Sequence, residues 1–155
     1  MKKFFVCLCM MLFIALPAGA ELLFSEVMTS NGVYINCEAH DWVEIHNTGS
    51  KKADLSGCFL SDSKKNLQKW VFPEGTSIKA GEYALIYCTG EERSPGKNKT
   101  FYASFKLSSA GDQVYLTDKD GETILAFLEI PPQYGNVSWG KQAGGEDYGY
   151  FAAAT

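Results

Sequence analysis

The segment Asp41 to Asp62 (DWVEIHNTGSKKADLSGCFLSD) constrains the class of structure more tightly than any other part of the chain. Trp42, Glu44 and His46 alternate with Val43, Ile45 and Asn47, which is the period of two of a half-buried β-strand. Asn47 to Ser50 supplies turn chemistry, and Leu55, Phe59 and Leu60 begin another strand. The same pattern continues along the chain. Strands are predicted at 22–28, 41–47, 56–60, 69–72, 77–79, 82–88, 101–107, 113–117 and 122–129, with edge strands at 137–140 and 148–152. Asp118-Lys119-Asp120-Gly121 is the hairpin turn between 113–117 and 122–129. Longer polar loops fall at 29–40 and 89–100. Short strands with turn signals between them, and no helical period, predict an all-β, immunoglobulin-like antiparallel β-sandwich.

Residues 1–20 stand apart from that pattern. Lys2 and Lys3 precede an apolar run from Phe4 to Leu16, and Ala18-Gly19-Ala20 offers a small-residue cleavage site, the three parts of a secretory signal peptide. The run is too short for a transmembrane helix, which needs about 20 apolar residues. Cleavage after Ala20 leaves 21–155 as one domain. Losing Lys2 and Lys3 takes the basic residues from 14 to 12 against 18 acids, so the formal charge moves from −4 to −6. An acidic domain whose single arginine is Arg93 has little with which to neutralise phosphates, which weighs against nucleic acid as a partner. The lysines at 51, 52, 64, 65 and 69 read as solvated hairpin tips. Of the cysteines outside the leader, Cys58 and Cys88 sit in apolar strand patterns and read as buried, unpaired thiols, while Cys37 lies in a polar loop.

The order of the pieces resembles the lamin-tail domain, a module of nuclear lamins that also occurs in exported bacterial proteins. The resemblance rests on Ser25-Glu26-Val27-Met28, Asp41 to Asn47, Asp54-Leu55-Ser56-Gly57, Leu60-Ser61-Asp62 and Lys69-Trp70-Val71-Phe72-Pro73. It continues through Ile78 to Tyr83, Phe105 to Ser108 and Gly111 to Leu116, with Val137 to Lys141 similar to a final strand. Three positions depart from the family pattern: His46 replaces a common aromatic, Cys58 a common Trp, and Lys141 the usual Arg. Bacterial members tend to run on past the last strand, so an end at Thr155 is compatible with a truncated reading frame or a fragment. The resemblance implies a sandwich used for binding or attachment, found beside enzymes rather than being one.

Each candidate site has a structural alternative. Cys37, His40 and Asp41 offer zinc-type ligands at short spacing, but structural zinc needs four that converge. Asp118-x-Asp120-Gly121-Glu122 resembles the opening of a calcium loop without its distant Glu, and reads as a hairpin turn. Glu26, Asp41 and Glu44 are the carboxylates available for acid–base work, which would require a cleft to bring two together. No catalytic residue, metal or cofactor is expected. The surface signal is aromatic: Tyr134, Trp139, Tyr148 and Tyr150 form a candidate binding surface, with closure of the sandwich edge as the alternative. The expected core comprises Val27, Val43, Ile45, Leu55, Leu60, Phe72, Leu85, Phe105, Val114 and Leu116. The chain is therefore read as an exported, non-enzymatic module, placed in the periplasm, at the cell surface or outside the cell. Its partner would be a protein or another envelope or extracellular component. Two other readings are a targeting domain of a larger surface enzyme and a small metal-dependent hydrolase.

Overall fold

The computed structural model describes residues 21–32, 39–91, 93, 94, 100–142, 145 and 147–151; the leader and Cys37 lie outside them. The strands are β1 (Leu22–Met28), β2 (Asp41–Asn47), β3 (Ala53–Asp54), β4 (Phe59–Ser61), β5 (Trp70–Val71) and β6 (Ser77–Ile78). They continue as β7 (Tyr83–Cys88), β8 (Phe101–Ala103), β9 (Asp112–Thr117), β10 (Ile124–Ile130), β11 (Ser138–Lys141) and β12 (Tyr148–Phe151). One sheet has the order β12-β11-β1-β2-β7-β8, the other β10-β9-β4-β5, and β3 and β6 form a two-stranded ribbon. The fold is the expected all-β, immunoglobulin-like sandwich.

Three details differ from the sequence expectation. The strand expected at 56–60 is confined to β4, Phe59–Ser61, because Gly57 adopts φ of 75° in the turn that carries the chain from the β3–β6 ribbon into the second sheet. The strand expected at 101–107 pairs only through Ala103, and it runs parallel to β7, unlike every other pairing. Its connection, residues 89–100, has the length that a parallel crossover requires. Beyond Ala103 the chain still buries Phe105 and Leu107, and the Phe105 carbonyl accepts the Gly90 N–H at 3.0 Å.

The core lies between the sheets. Val27, Val43, Ile45 and Ile86 of the larger sheet meet Leu60, Val114, Leu116, Leu128 and Ile130 of the smaller one. Trp70, Phe72 and Phe101 close one side edge-to-face, with ring centroids 4.6 to 6.4 Å apart. Leu85 is the one expected core residue that faces away: Ala84, Ile86 and Cys88 point inward from β7, while Leu85 packs with Met28, Trp42 and Tyr87 on the outer face. Both alternating sets of β7 are apolar, so its pattern does not reveal the inner face.

A bulge fixes the register of β1. Phe24 pairs with Ile45 and Glu26 with Glu44, leaving Ser25 as the extra residue. On the other side of β1, Gly140 lies opposite Glu26, where a Cβ would fall 2.7 Å from the Ser25 carbonyl oxygen. Only glycine lets β11 approach that closely. Cys58 and Cys88 are buried free thiols, and desolvation pushes both pKa values up.

Phe72 is 1 % exposed and meets two other rings, whereas the adjacent Val71 is 48 % exposed. Phe72→Ala is therefore expected to lose about 3–5 kcal/mol of unfolding free energy in urea titration. Val71→Ala should change it by less than about 0.5 kcal/mol. Equal losses for the two variants would contradict this assignment of inner and outer faces.

Candidate functional site

The carboxylates proposed for acid–base work are held by the sheet. Glu26 and Glu44 are cross-strand partners on the outer face of β1 and β2. Glu26 is 2 % exposed and accepts the Ser138 hydroxyl at 2.5 Å, which joins β1 to β11. Glu44 accepts the hydroxyl of the bulged Ser25 at 2.6 Å. Burial raises the Glu44 pKa, the Ser25 bond opposes that shift, and the neighbouring Glu26 adds to it. Asp41 sits at the far end of β2 opposite Cys88 and accepts the Asn31 N–H at 3.4 Å; burial raises its pKa too.

The metal and calcium candidates lead elsewhere. The Cys37 member of the zinc grouping lies outside the described residues, and the His40 carbonyl accepts the Asn31 side-chain amide at 2.9 Å. Among the described residues no group of three or more His, Cys, Asp and Glu is arranged to hold a metal. Asp120 spends its carboxylate on its own turn, accepting the Glu122 and Thr123 N–H groups at 2.9 and 2.8 Å and the Thr123 hydroxyl at 2.5 Å. These bonds hold its pKa below the usual carboxylate range.

The aromatic surface divides into two parts. Trp139 and Tyr148 pack against the core from β11 and β12, with ring centroids 6.3 Å apart. The Tyr148 hydroxyl donates to the Phe24 carbonyl at 2.8 Å, tying β12 to β1. Tyr134 and Tyr150 are 72 % and 45 % exposed. Tyr150 meets Trp139 edge-on at 4.8 Å, lies 6.2 Å from Tyr134, and donates to the Pro132 carbonyl at 2.7 Å. Truncating Trp139 or Tyr148 would thus disturb folding, while Tyr134 is free of the core.

Beside these rings lies a groove of about 820 Å³ that the sequence reading missed. Asp112 and Gln113 from the start of β9, Glu129 and Ile130 from the end of β10, Pro132 and Trp139 line it. Asp112 and Glu129 sit at the open end of the β9–β10 hairpin and meet only through its register, so no contiguous motif announces them. Asp62 also reaches the groove, and the Lys69 ammonium lies 2.5 Å from it. A second aromatic feature is the exposed edge of β10, where Ile124, Leu125 and Phe127 face solvent and Phe127 meets Tyr115 at 4.9 Å.

The family model for the lamin tail domain matches residues 16–129. The chain belongs to the lamin tail domain family. No curated protein matches it. The family match ends at Glu129, so it includes the groove's Asp112 and Glu129 but not Tyr134, Trp139, Tyr148 or Tyr150. The segment 137–141, which resembles a final strand, is indeed strand β11, paired with β1 outside the matched residues. Lamin tail domains are non-catalytic and immunoglobulin-like, and the described residues of this member include no helix long and apolar enough to cross a membrane.

His46 stacks on Tyr83 at 4.0 Å with an interplanar angle of 11°. Burial lowers its pKa from 6.5, with the Lys141 charge adding to the shift and a bond to the Gly81 backbone opposing it. The folded state thus takes up this proton less readily than the unfolded chain. The resulting stability is fully present above the unfolded value and is lost as pH falls through the window below it. His46→Phe keeps the stack and removes the proton. Its stability should depend less on pH than that of the wild type between roughly pH 5 and 7 in urea titrations. Parallel curves would rule out His46 as the source of the slope.

Proposed function

We propose that this lamin tail domain is an exported, non-enzymatic interaction or attachment module that works in the periplasm, at the cell surface or outside the cell. Export is supported by the Lys2-Lys3, apolar and Ala-Gly-Ala sequence of residues 1–20. The observation that carries the non-enzymatic reading is where the reactive groups go. Glu26, Asp41 and Glu44 each take a hydrogen bond from a neighbouring strand or turn, and His46 is stacked on Tyr83. Meanwhile the exposed rings Tyr134 and Tyr150 gather at one end. Amphipathic aromatics exposed beside a groove are the usual anchors of binding faces.

Expression of the full chain in a secreting bacterial host, followed by intact-mass measurement of the exported fraction, tests the first part. The expected mass begins at Glu21, and retention of residues 1–20 by protein confined to the cytosol would overturn export. Metal analysis and hydrolysis assays of the same material test the second part. Substoichiometric zinc, no turnover, and wild-type stability of His40→Ala are expected, whereas stoichiometric zinc with turnover would establish the hydrolase instead.

A further inference from the structure

We propose that the groove between the ends of β9 and β10 and strand β11 receives a lysine or arginine side chain carried on an extended segment of a partner polypeptide. This assignment rests on reading the domain as an interaction module. Its first support is the combination of charge and flat apolar surface in one place. Asp112 and Glu129 enter the groove beside Pro132 and Trp139, and its lining residues include no Lys, Arg or His. Lys69 pairs with Asp62, which leaves the other two carboxylates to set the sign of the groove. Asp112 is fixed in place by accepting the Ser108 and Gln113 N–H groups, both at 2.8 Å, and Glu129 is exposed.

Carboxylates alone would attract any small cation without selecting a partner. The rings add selectivity, because a guanidinium or ammonium over an aromatic face within about 6 Å is attracted by the ring quadrupole. Trp139 belongs to both groove and aromatic cluster, and Tyr150 and Tyr134 carry that cluster outward from it. The alkyl stem of a lysine or arginine can lie along Pro132 and Trp139 while its head meets Glu129. An extended segment suits the location, since the groove lies at the end of β10, the edge strand of its sheet, where no further strand of that sheet covers it. A neutral saccharide would use the rings but gain nothing from the charge, and an anionic ligand would be repelled.

The probe is a hexalysine peptide titrated into the purified protein, with binding read from amide and indole NMR shifts. Fully acetylated hexalysine and chitohexaose are the comparison arms. Hexalysine should shift the Trp139 indole resonance, weaken with added salt, and lose about tenfold in affinity in the double variant Glu129→Gln with Tyr134→Ala. Glu122→Gln removes an exposed charge from the opposite end of β10 and should leave affinity within about twofold. An equal loss in Glu122→Gln would mean attraction to net charge alone and would overturn the groove assignment. Absence of a Trp139 shift, or equal binding of acetylated hexalysine or chitohexaose, would overturn it too. An envelope or secreted partner captured equally by wild type and the double variant would also reject the groove while leaving the module reading intact. Stoichiometric zinc with turnover would defeat the module reading itself.

Discussion

The buried side-chain amide of Asn47 joins four separate parts of this fold. It is fully buried at the end of β2, where its Nδ2 donates to the Lys51 and Ile78 carbonyls at 2.8 and 3.0 Å. Its Oδ1 accepts the Gly49 and Glu21 N–H groups at 3.1 and 3.4 Å. Two carbonyls on one side and two N–H groups on the other fix the orientation of the amide. The backbone of the same residue bonds to Glu82 and Gly81 before β7. One residue thus ties the start of β1, the turn after β2, the end of β6 and the approach to β7. A buried polar group costs free energy unless it is fully bonded, and here each capacity is met. The register of the central strands, and so the division of side chains between core and solvent, follows from this anchor and the Ser25 bulge.

That register gives the larger sheet two apolar faces rather than one. Val27, Val43 and Ile86 point into the sandwich, while Met28, Trp42 and Tyr87 form a row on the other side, paired in register across β1, β2 and β7. Tyr102 extends the row to β8 and stacks on Tyr87 at 6.0 Å. The parallel placement of β8 is what brings it there. Between this row and the His46–Tyr83 stack lies the Glu26–Glu44 pair, where hydroxyls from Ser138 and Ser25 stand in for water. Two carboxyls facing each other across neighbouring strands would otherwise repel.

Much of this was legible in the amino-acid sequence because strand alternation and turn residues are local signals. Val27, Val43, Ile45, Leu55, Leu60, Phe72, Phe105, Val114 and Leu116 are buried as their patterns predict. Leu85 was misread because a strand apolar on both faces carries no mark of which face is inward. The aromatic end was visible as composition, yet only tertiary structure separates Trp139 and Tyr148, which pack on the core, from Tyr134 and Tyr150, which do not. The groove was invisible for a stronger reason. Asp112 and Glu129 stand together through the antiparallel pairing of β9 and β10, in which Glu129 lies opposite Gln113 and Ile130 opposite Asp112. Such a pair exists only once register is set.

An edge strand as apolar as β10 invites unwanted pairing, and here both ends of the strand limit it. At the start, the register slips between Ile124 and Ala126, so Leu125 is an extra, bulged residue that interrupts the ladder. At the finish, Pro131 and Pro132 offer no N–H to extend it. The Tyr150 hydroxyl fastens this segment to β12 through the Pro132 carbonyl. For the proposed lysine- or arginine-bearing segment, the rings and carboxylates at the end of this edge offer one place of contact, while the bulge and the prolines discourage continuous pairing. Asp112 and Glu129 lie within the residues matched to the lamin tail domain, so the carboxylates come from the matched sandwich, while the rings come from β11, β12 and the loop before them.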